Sequence, residues 1–357
     1  MENNHYLSHA SSKWLREEGP ESDIVISSRI RLARNIADTP FTTLATDLAQ
    51  GQVLTTIYQA IRAPELAKMG PFDMLFMREL NDVSKQVLVE KHLISPALKE
   101  SDNAAVVIRQ DEEVSVMINE EDHLRIQCML PGNQLDAAYA LADELDNAFE
   151  TSFDYAFDEE KGYLTACPTN VGTGLRASLM MHLPALVLTG RINRILTAVA
   201  QVGLAVRGIY GEGTDALGNL FQISNQVTLG HSEQEIISNL QGVAMQIIEH
   251  ERTARQYVLH ESKDSIEDRV CRSFGTLAYA RQMDSKEAMQ RLSDVRLGID
   301  LGIIKGVSAG ILKELMVSTQ PGFLQQNLGA EMNPAMRDVK RAAMIRERLR
   351  MDEANNE

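Results

Sequence analysis

Two kinds of side chain gather in this chain in a way that could do chemistry: arginines and carboxylates, each in short dense segments. SSRIRLARN (27–35) places Arg29, Arg31 and Arg34 within six positions, and NEEDHLRI (119–126) follows Glu120, Glu121 and Asp122 with Arg125. CPTNVGTGLRAS (167–178) opens on Cys167 and reaches Arg176 nine positions later through a run of glycine and threonine. RGIYGEGTDALG (207–218) again mixes the types, with Arg207 and Glu212 among glycines, before ISN at 223–225. A guanidinium offers donors in a rigid planar fork that fits phosphate oxygens better than the point charge of a lysine. A carboxylate can hold a guanidinium or remove its proton. Taken singly, each arginine is a solvated cation or an ion-pair partner, and the acidic triplet is a solvated turn.

The elements that must position these groups can be sketched from periodicity. DIVISSRIRLARN starts as a β-rich run, whereas 45–68 and 79–100 have helical spacing and composition. AAVVIRQ (104–110), VSVMIN (114–119) and LRIQCML (124–130) alternate around short acidic turns, which predicts an antiparallel sheet. Glu120 and Asp122 are expected to point away from Glu121 on a strand, into structural or solvent roles. A helix is expected near 134–148, and the Gly/Thr-rich text at 168–178 is expected to lead into a long helical region. A polar loop occupies 207–219, and helix returns at 232–258. Residues 1–22 read as a polar arm, 23–258 as a catalytic domain and 264–357 as an all-helical C-terminal domain ending in a basic helix. There is no internal repeat.

Common nucleotide signatures are missing: no G-x-x-x-x-G-K-[ST] loop, no H-R-D or D-F-G, and no third glycine after Gly172-Thr-Gly174 or Gly211-Glu-Gly213. The four segments above, together and in order, instead resemble the phosphagen kinases, the family that includes creatine and arginine kinases. The likeness spans roughly 20–256. It implies an α+β catalytic domain, an antiparallel sheet flanked by helices, and transfer of the γ-phosphoryl group of ATP to a guanidino nitrogen. By that resemblance Arg29, Arg31, Arg125, Arg176 and Arg207 cage the ATP phosphates, while Arg34 is more structural. Mg²⁺ is held chiefly by phosphate oxygens and water, so no protein metal ligands are expected. Such a transfer asks the protein mainly for positioning and charge neutralisation. The acceptor explains the acids: a guanidinium has no free lone pair until a proton leaves. Glu121 matches the family's base and Glu212 its second guanidinium-holding carboxylate.

Cys167 also matches the family. Pro168 and the polar loop beyond it favour an exposed strand end over a buried core thiol, and Thr169 can donate a hydrogen bond that stabilises the thiolate. The expected role is that of an enhancer and not of a covalent nucleophile. Two departures are informative. Small-metabolite members carry a helical domain before the first arginine motif, where this chain has 28 residues before Arg29; an open acceptor side suits an arginine protruding from another polypeptide. Met180 stands where creatine-kinase-like sequences place an adenine-contacting histidine, and His182 need not replace it. The helical extension makes the bacterial protein-arginine kinases (McsB type) the nearest match within the family. Their RDxxRA motif, a phosphoarginine reader that supports oligomerisation, is represented by RDVKRA at 337–342. Arg337 and Arg341, four apart on one helix face, would hold the phosphate while Asp338 addresses the guanidino group; a solvated basic helix is the plain alternative.

Composition bounds the rest. A net charge of −15 over 357 residues argues against a nucleic-acid platform and is compatible with cationic protein partners. The most apolar stretch, 183–206, is interrupted by Arg191 and Arg194, and the N-terminus lacks a signal-peptide pattern. Cys128, Cys167 and Cys271 show no paired spacing for zinc or disulfides, consistent with a reducing cytoplasm. By resemblance, modified proteins pass to a Clp-type protease, a stress-response repressor is a plausible substrate, a zinc-binding activator protein can be involved, and the chain forms a homodimer or higher oligomer. Two competing readings are a small-molecule guanidino kinase and a non-catalytic phosphoarginine-binding regulator. The intact Glu121, Glu212, Cys167 and five arginines weigh against the second of these.

Overall fold

The arginine segments can share a site only if their strands lie side by side, and they do. The computed structural model describes residues 5–8, 12–208, 216–329 and 332–355. Ten strands occur among them: β1 (Val25–Arg34), β2 (Phe72–Phe76), β3 (Ala105–Arg109), β4 (Val114–Ile118), β5 (Leu124–Pro131), β6 (Phe157–Asp158), β7 (Gly162–Tyr163), β8 (Leu175–His182), β9 (Leu204–Gly208) and β10 (Leu220–Asn225). Eight of them form one antiparallel sheet in the order β2-β3-β4-β5-β1-β8-β10-β9, and β6 and β7 make a separate hairpin.

Three expectations are corrected. The text after 174 does not run into helix at once: LRASLMMH is β8. Its leucine, methionine and alanine favour helix in isolation, but almost every residue of it is buried, which removes the alternation that marks a strand. Residues 119–123 form a turn between β4 and β5, so Glu120 and Asp122 are not strand residues. The span 79–100 is not one helix but Asp82–Glu90 and Pro96–Lys99, with β2 unforeseen before it.

One face of the sheet is apolar. Ile30, Leu32, Ile126, Ala177, Leu179 and Ile223 lie there, covered by the helices Leu135–Glu150 and Glu233–Glu261. On the opposite face, one end is closed by a second core in which Met117, Met129 and Met180 meet Trp14, Met289 and Phe323. The N-terminal stretch expected to be a polar arm thus supplies a fully buried tryptophan, and Tyr6 donates to Asp73 at 2.6 Å.

The C-terminal helices Lys263–Tyr279, Ser285–Asp300, Ile311–Ser318, Pro321–Leu328 and Pro334–Asn355 have a core of their own. They are also fastened to the rest of the fold. Glu90 accepts from the amides of Gly322 (2.8 Å) and Phe323 (3.0 Å), an anion placed on the N-terminus of Pro321–Leu328. Arg255 of the long helix Glu233–Glu261 pairs with Glu251 at 3.0 Å and with Asp300 at 3.3 Å. Ser293 joins His182 at the end of β8 (2.8 Å) to Asn219 before β10 (2.7 Å).

Two histidines, His182 fully buried and His92 partly so, set an acid limit. Burial, with Arg29 adding to it, pushes His92 down to about 3, and burial with Arg255 and Arg296 pushes His182 well below its ordinary value. Both are neutral in the folded protein, so their contribution is complete above the unfolded value near 6.5. It is lost as falling pH lets only the unfolded chain take up protons. Each is expected to remove up to about 1.4 kcal/mol of stability per pH unit below that point. Urea unfolding at pH 7.5 and 5.5 checks this. H92N, which also suits the left-handed backbone there (φ 59°), should flatten the dependence.

Candidate active site

Strand register, more than any single contact, brings the arginines together. Residues directly opposite one another in neighbouring strands share a face of the sheet. Arg31 faces Arg176 on one side and Gln127 on the other; Arg125 faces Ala33, two positions from Arg31; Arg29 faces Ser178; and Arg207 faces Gln222, which faces Met180. Successive even or odd positions along a strand keep the same face. All five arginines therefore stand on the face opposite the apolar one.

Their electrostatics confirm the proximity. Arg29 is lowered to about 10 by burial, then by Arg125 and Arg176. Arg31 falls well below its ordinary value through burial and the fields of Arg29, Arg125 and Arg176, and its buried Nε has no partner. Arg176 is lowered by burial, Arg207 and Arg125, and is opposed by Cys167 and Glu121. Few carboxylates compensate this convergence. Arg29 donates to neutral groups, Gln222 Oε1 at 2.7 Å and Ser178 Oγ at 3.4 Å. Arg125 pairs with Glu120, whose other oxygen accepts from Ser95. A face of clustered, under-compensated guanidinium groups is a receptor for a polyanion.

Glu121 and Cys167 approach the same end of the sheet on separate loops, and a buried knot joins those loops. Asp122 Oδ1 accepts from Asn35 Nδ2 and from the Ala166 amide, both at 2.7 Å, while Asn35 Oδ1 accepts from the His123 amide at 2.9 Å. Burial raises Asp122 above the usual carboxylate range despite these donors. Cys167 is half-buried, with Sγ 3.1 Å from Thr169 Oγ1. Thr228 Oγ1 steadies the loop from behind, donating to the carbonyls of Thr169 and Val171 at 3.0 and 2.7 Å. Gly174, at φ 65°, is required here: a Cβ would lie 2.6 Å from both the Ala33 carbonyl and the Arg34 guanidinium.

Arg34 itself stands apart from the five. It is buried and forked onto Asp146 at 2.7 and 3.0 Å, and donates to the carbonyls of Ala33 and Thr173. Glu212 lies outside the described residues. Met180 and His182 are both buried beneath the helical cap, His182 against Ser293, so neither lies open to solvent. In RDVKRA the two arginines are placed differently from one another. Arg337 is half-buried and donates to Met332 O at 3.0 Å, whereas Arg341 is buried and donates to Thr319 O, Met283 O and Asp338 Oδ1 at 2.9, 2.9 and 2.6 Å. The shared helix face expected from their spacing turns inward at Arg341. Reading the sequence alone missed Gln222, Ser178, Asn35 and Thr228. Asn35 closes SSRIRLARN and Ser178 closes CPTNVGTGLRAS, whereas Gln222 and Thr228 carried no local signal.

Comparison with known proteins places this geometry. The family described as ATP:guanido phosphotransferase, C-terminal catalytic domain, matches residues 52–254, and the family described as protein-arginine kinase McsB C-terminal domain matches 263–357. A protein-arginine kinase of Brevibacillus brevis is 56% identical over 355 residues, covering 99% of each chain. One of Bacillus subtilis is 55% identical over 348 residues, covering 98% of this chain and 96% of that one. Among solved structures, a lombricine kinase aligns with TM-score 0.57 at 25% identity, over 66% of this chain and 68% of its own. The duplicated taurocyamine kinase of Schistosoma mansoni with bound transition state analog components aligns with TM-score 0.59 at 23% identity, over 71% of this chain and 37% of its own, a likeness of fold.

The Asp122 knot makes a testable demand. Asp122→Ala strands two donors and frees the Glu121 turn from the Cys167 loop, so turnover is expected to fall about 100-fold. Asp122→Asn keeps an acceptor oxygen and should retain most activity. Steady-state rates of both variants, with nucleotide affinity measured alongside, check that the loss lies in positioning.

Proposed function

The chain belongs to the protein-arginine kinases of the ATP:guanido phosphotransferase family, and on that footing we propose how its residues move the γ-phosphoryl group of ATP onto arginine side chains of other proteins. Arg29, Arg31, Arg125, Arg176 and Arg207 hold the triphosphate. Arg125 exchanges its pairing with Glu120 for phosphate oxygens. Mg²⁺, when bound, neutralises further phosphate charge. It would be held by phosphate oxygens and water.

The acceptor guanidinium sits between Glu121 and Cys167, with Glu212 as its second carboxylate. As the guanidino nitrogen bonds to the γ-phosphorus, the bond to the bridging oxygen breaks and ADP leaves. The proton of the attacking nitrogen passes to Glu121. Cys167, beside Thr169, orients the guanidinium edge without forming a covalent bond. The observation that carries this reading is the register of β5, β1, β8, β10 and β9, which puts five guanidinium groups on one face. The loops bearing Glu121 and Cys167 stand at one end of those strands.

Residues 23–258 serve as the catalytic domain and 264–357 as the C-terminal domain, while Tyr6 and Trp14 of the segment 1–22 pack into the second core. In the C-terminal domain, Arg337 and Asp338 receive phosphoarginine and Arg341 braces Asp338, a second site through which product can stimulate the kinase and support assembly into a homodimer or larger oligomer. Marked proteins pass to a Clp-type protease as part of a stress response, with a zinc-binding activator protein as a further partner. No helix among the described residues is long and apolar enough to cross a membrane, and the reading places the reaction in the cytoplasm.

Glu121→Gln keeps the shape of the side chain but cannot take the proton, so transfer should drop by about 10²–10⁴-fold while ATP binding persists. Near-normal turnover would remove Glu121 from the role of base. The same radiolabel assay should show an arginine-rich protein far outcompeting free arginine as acceptor, judged by kcat/KM. At the second site, Arg337→Ala should weaken calorimetric binding of phosphoarginine by about tenfold or more, the loss of one charge-assisted bond, and leave basal transfer intact. Unchanged affinity would reduce that helix to a solvated basic face.

A further inference from the structure

A partly apolar groove opens on the loop that carries Cys167, and nothing in the reaction as described uses it. Thr228 turns inward to hold the carbonyls of Thr169 and Val171, so its neighbours in the chain turn outward. Val227 is 48% exposed and Leu229 54%. On one side of this ridge lies a hollow of about 290 Å³ bordered by Phe157, Glu160, Tyr163, Leu229, His231 and Glu233. On the other lies a hollow of about 330 Å³ bordered by Val202, Val227, His231 and Glu235. His231 borders both hollows, which lie side by side across the ridge as a divided trough. Phe157 and Val202 are also half exposed, at 56% and 50%. Exposed apolar side chains gathered at one place, ringed by polar ones, mark a surface meant for a partner.

We propose that this trough binds the polypeptide flanking the target arginine, and that it takes a cationic, partly apolar segment. The inference rests on the protein-arginine kinase reading and names what that reading leaves open, the chemistry by which a protein acceptor is chosen. Position is the first argument. Thr169 is hydrogen-bonded to the Cys167 thiol through its side chain and to Thr228 through its carbonyl, so the trough begins within two residues of the acceptor end. A peptide whose arginine enters between Cys167 and Glu121 advances about 3.3 Å per residue when extended, and its next few residues reach Leu229 and Phe157. Charge is the second. The hollows carry Glu160, Glu233 and Glu235 against Lys161, complementary to basic residues that accompany arginine in a cationic segment and repellent to phosphate backbones or anionic lipid. Free arginine has no flanks and gains nothing from the trough.

Two variants test this independently, Phe157→Ser with Leu229→Ser for the apolar ridge, and Glu160→Lys with Glu233→Lys for the rim. Both are assayed with a peptide in which arginine is flanked by lysine and leucine, with an acidic-flanked counterpart, and with free arginine. The first variant should raise KM for the basic peptide about tenfold and leave its kcat, the KM for ATP and the residual turnover of free arginine unchanged. The second should invert the preference between the two peptides at low salt, an effect that added salt suppresses. Unchanged peptide KM in both variants overturns the proposal. Equal losses with free arginine overturn it as well, since the ridge would then be structural. A change in sedimentation without a change in peptide KM assigns the trough to a second copy of the chain. If the wild-type enzyme phosphorylates neither peptides nor proteins, the failure belongs to the kinase reading and not to the trough.

Discussion

Repulsion among guanidinium groups is the constraint around which this molecule is arranged. Five positive side chains share one face of one sheet; burial, with the fields of neighbouring guanidinium groups added to it, brings Arg29 down to about 10 and lowers Arg31 and Arg176. A loop could not hold them, because each would swing away to solvent. Adjacent strands can, since ladder hydrogen bonds fix the spacing and the opposite face anchors the sheet through an apolar core. The polar partners on the charged face are mostly neutral. Gln222 and Ser178 orient Arg29 without cancelling its charge, which leaves the field available to an anion. Electrostatic preorganisation of this kind is the chief means by which a protein assists a reaction that asks little covalent work of it.

The acceptor end answers a different need. Glu121, the proposed base, sits on a turn and not on a strand. Asp122, its neighbour, is buried and spent on Asn35 and the Ala166 amide, so the turn borrows rigidity from β1 and from the Cys167 loop. Asn35 thus connects the arginine strand to the acidic turn, and the two halves of the chemistry cannot shift independently.

Much of this was legible in the sequence because the chemistry is concentrated in contiguous segments. The strands β3 and β4 are legible as short valine- and isoleucine-rich runs between turns although both are buried nearly throughout, and the C-terminal helices have ordinary helical composition. What escaped notice were features created by burial from both sides. LRASLMMH lost its alternation because helices cover one face and the methionine core the other, and Trp14 sat in a stretch whose polarity suggested an arm. The spacing of Arg337 and Arg341 implied one common face, but only the packing of Met283 and Thr319 shows Arg341 bonded to backbone carbonyls inside the fold. Gln222 could not have been singled out, since its importance comes from β10 lying beside β8, a long-range pairing with no local signature.

The methionine core has a consequence for the birth of the protein. A ribosome delivers the last of the five arginines at residue 207, yet Met289, Met316 and Phe323, which close the same face, emerge only some eighty residues later and beyond. They join Tyr6 and Trp14, made at the outset, so the seal links sequence neighbourhoods at opposite ends of the chain. Until Met289, Met316 and Phe323 are made, Met117, Met129 and Met180 lack their C-terminal partners. The seal over the charged face therefore cannot be finished until the chain has been made past Phe323.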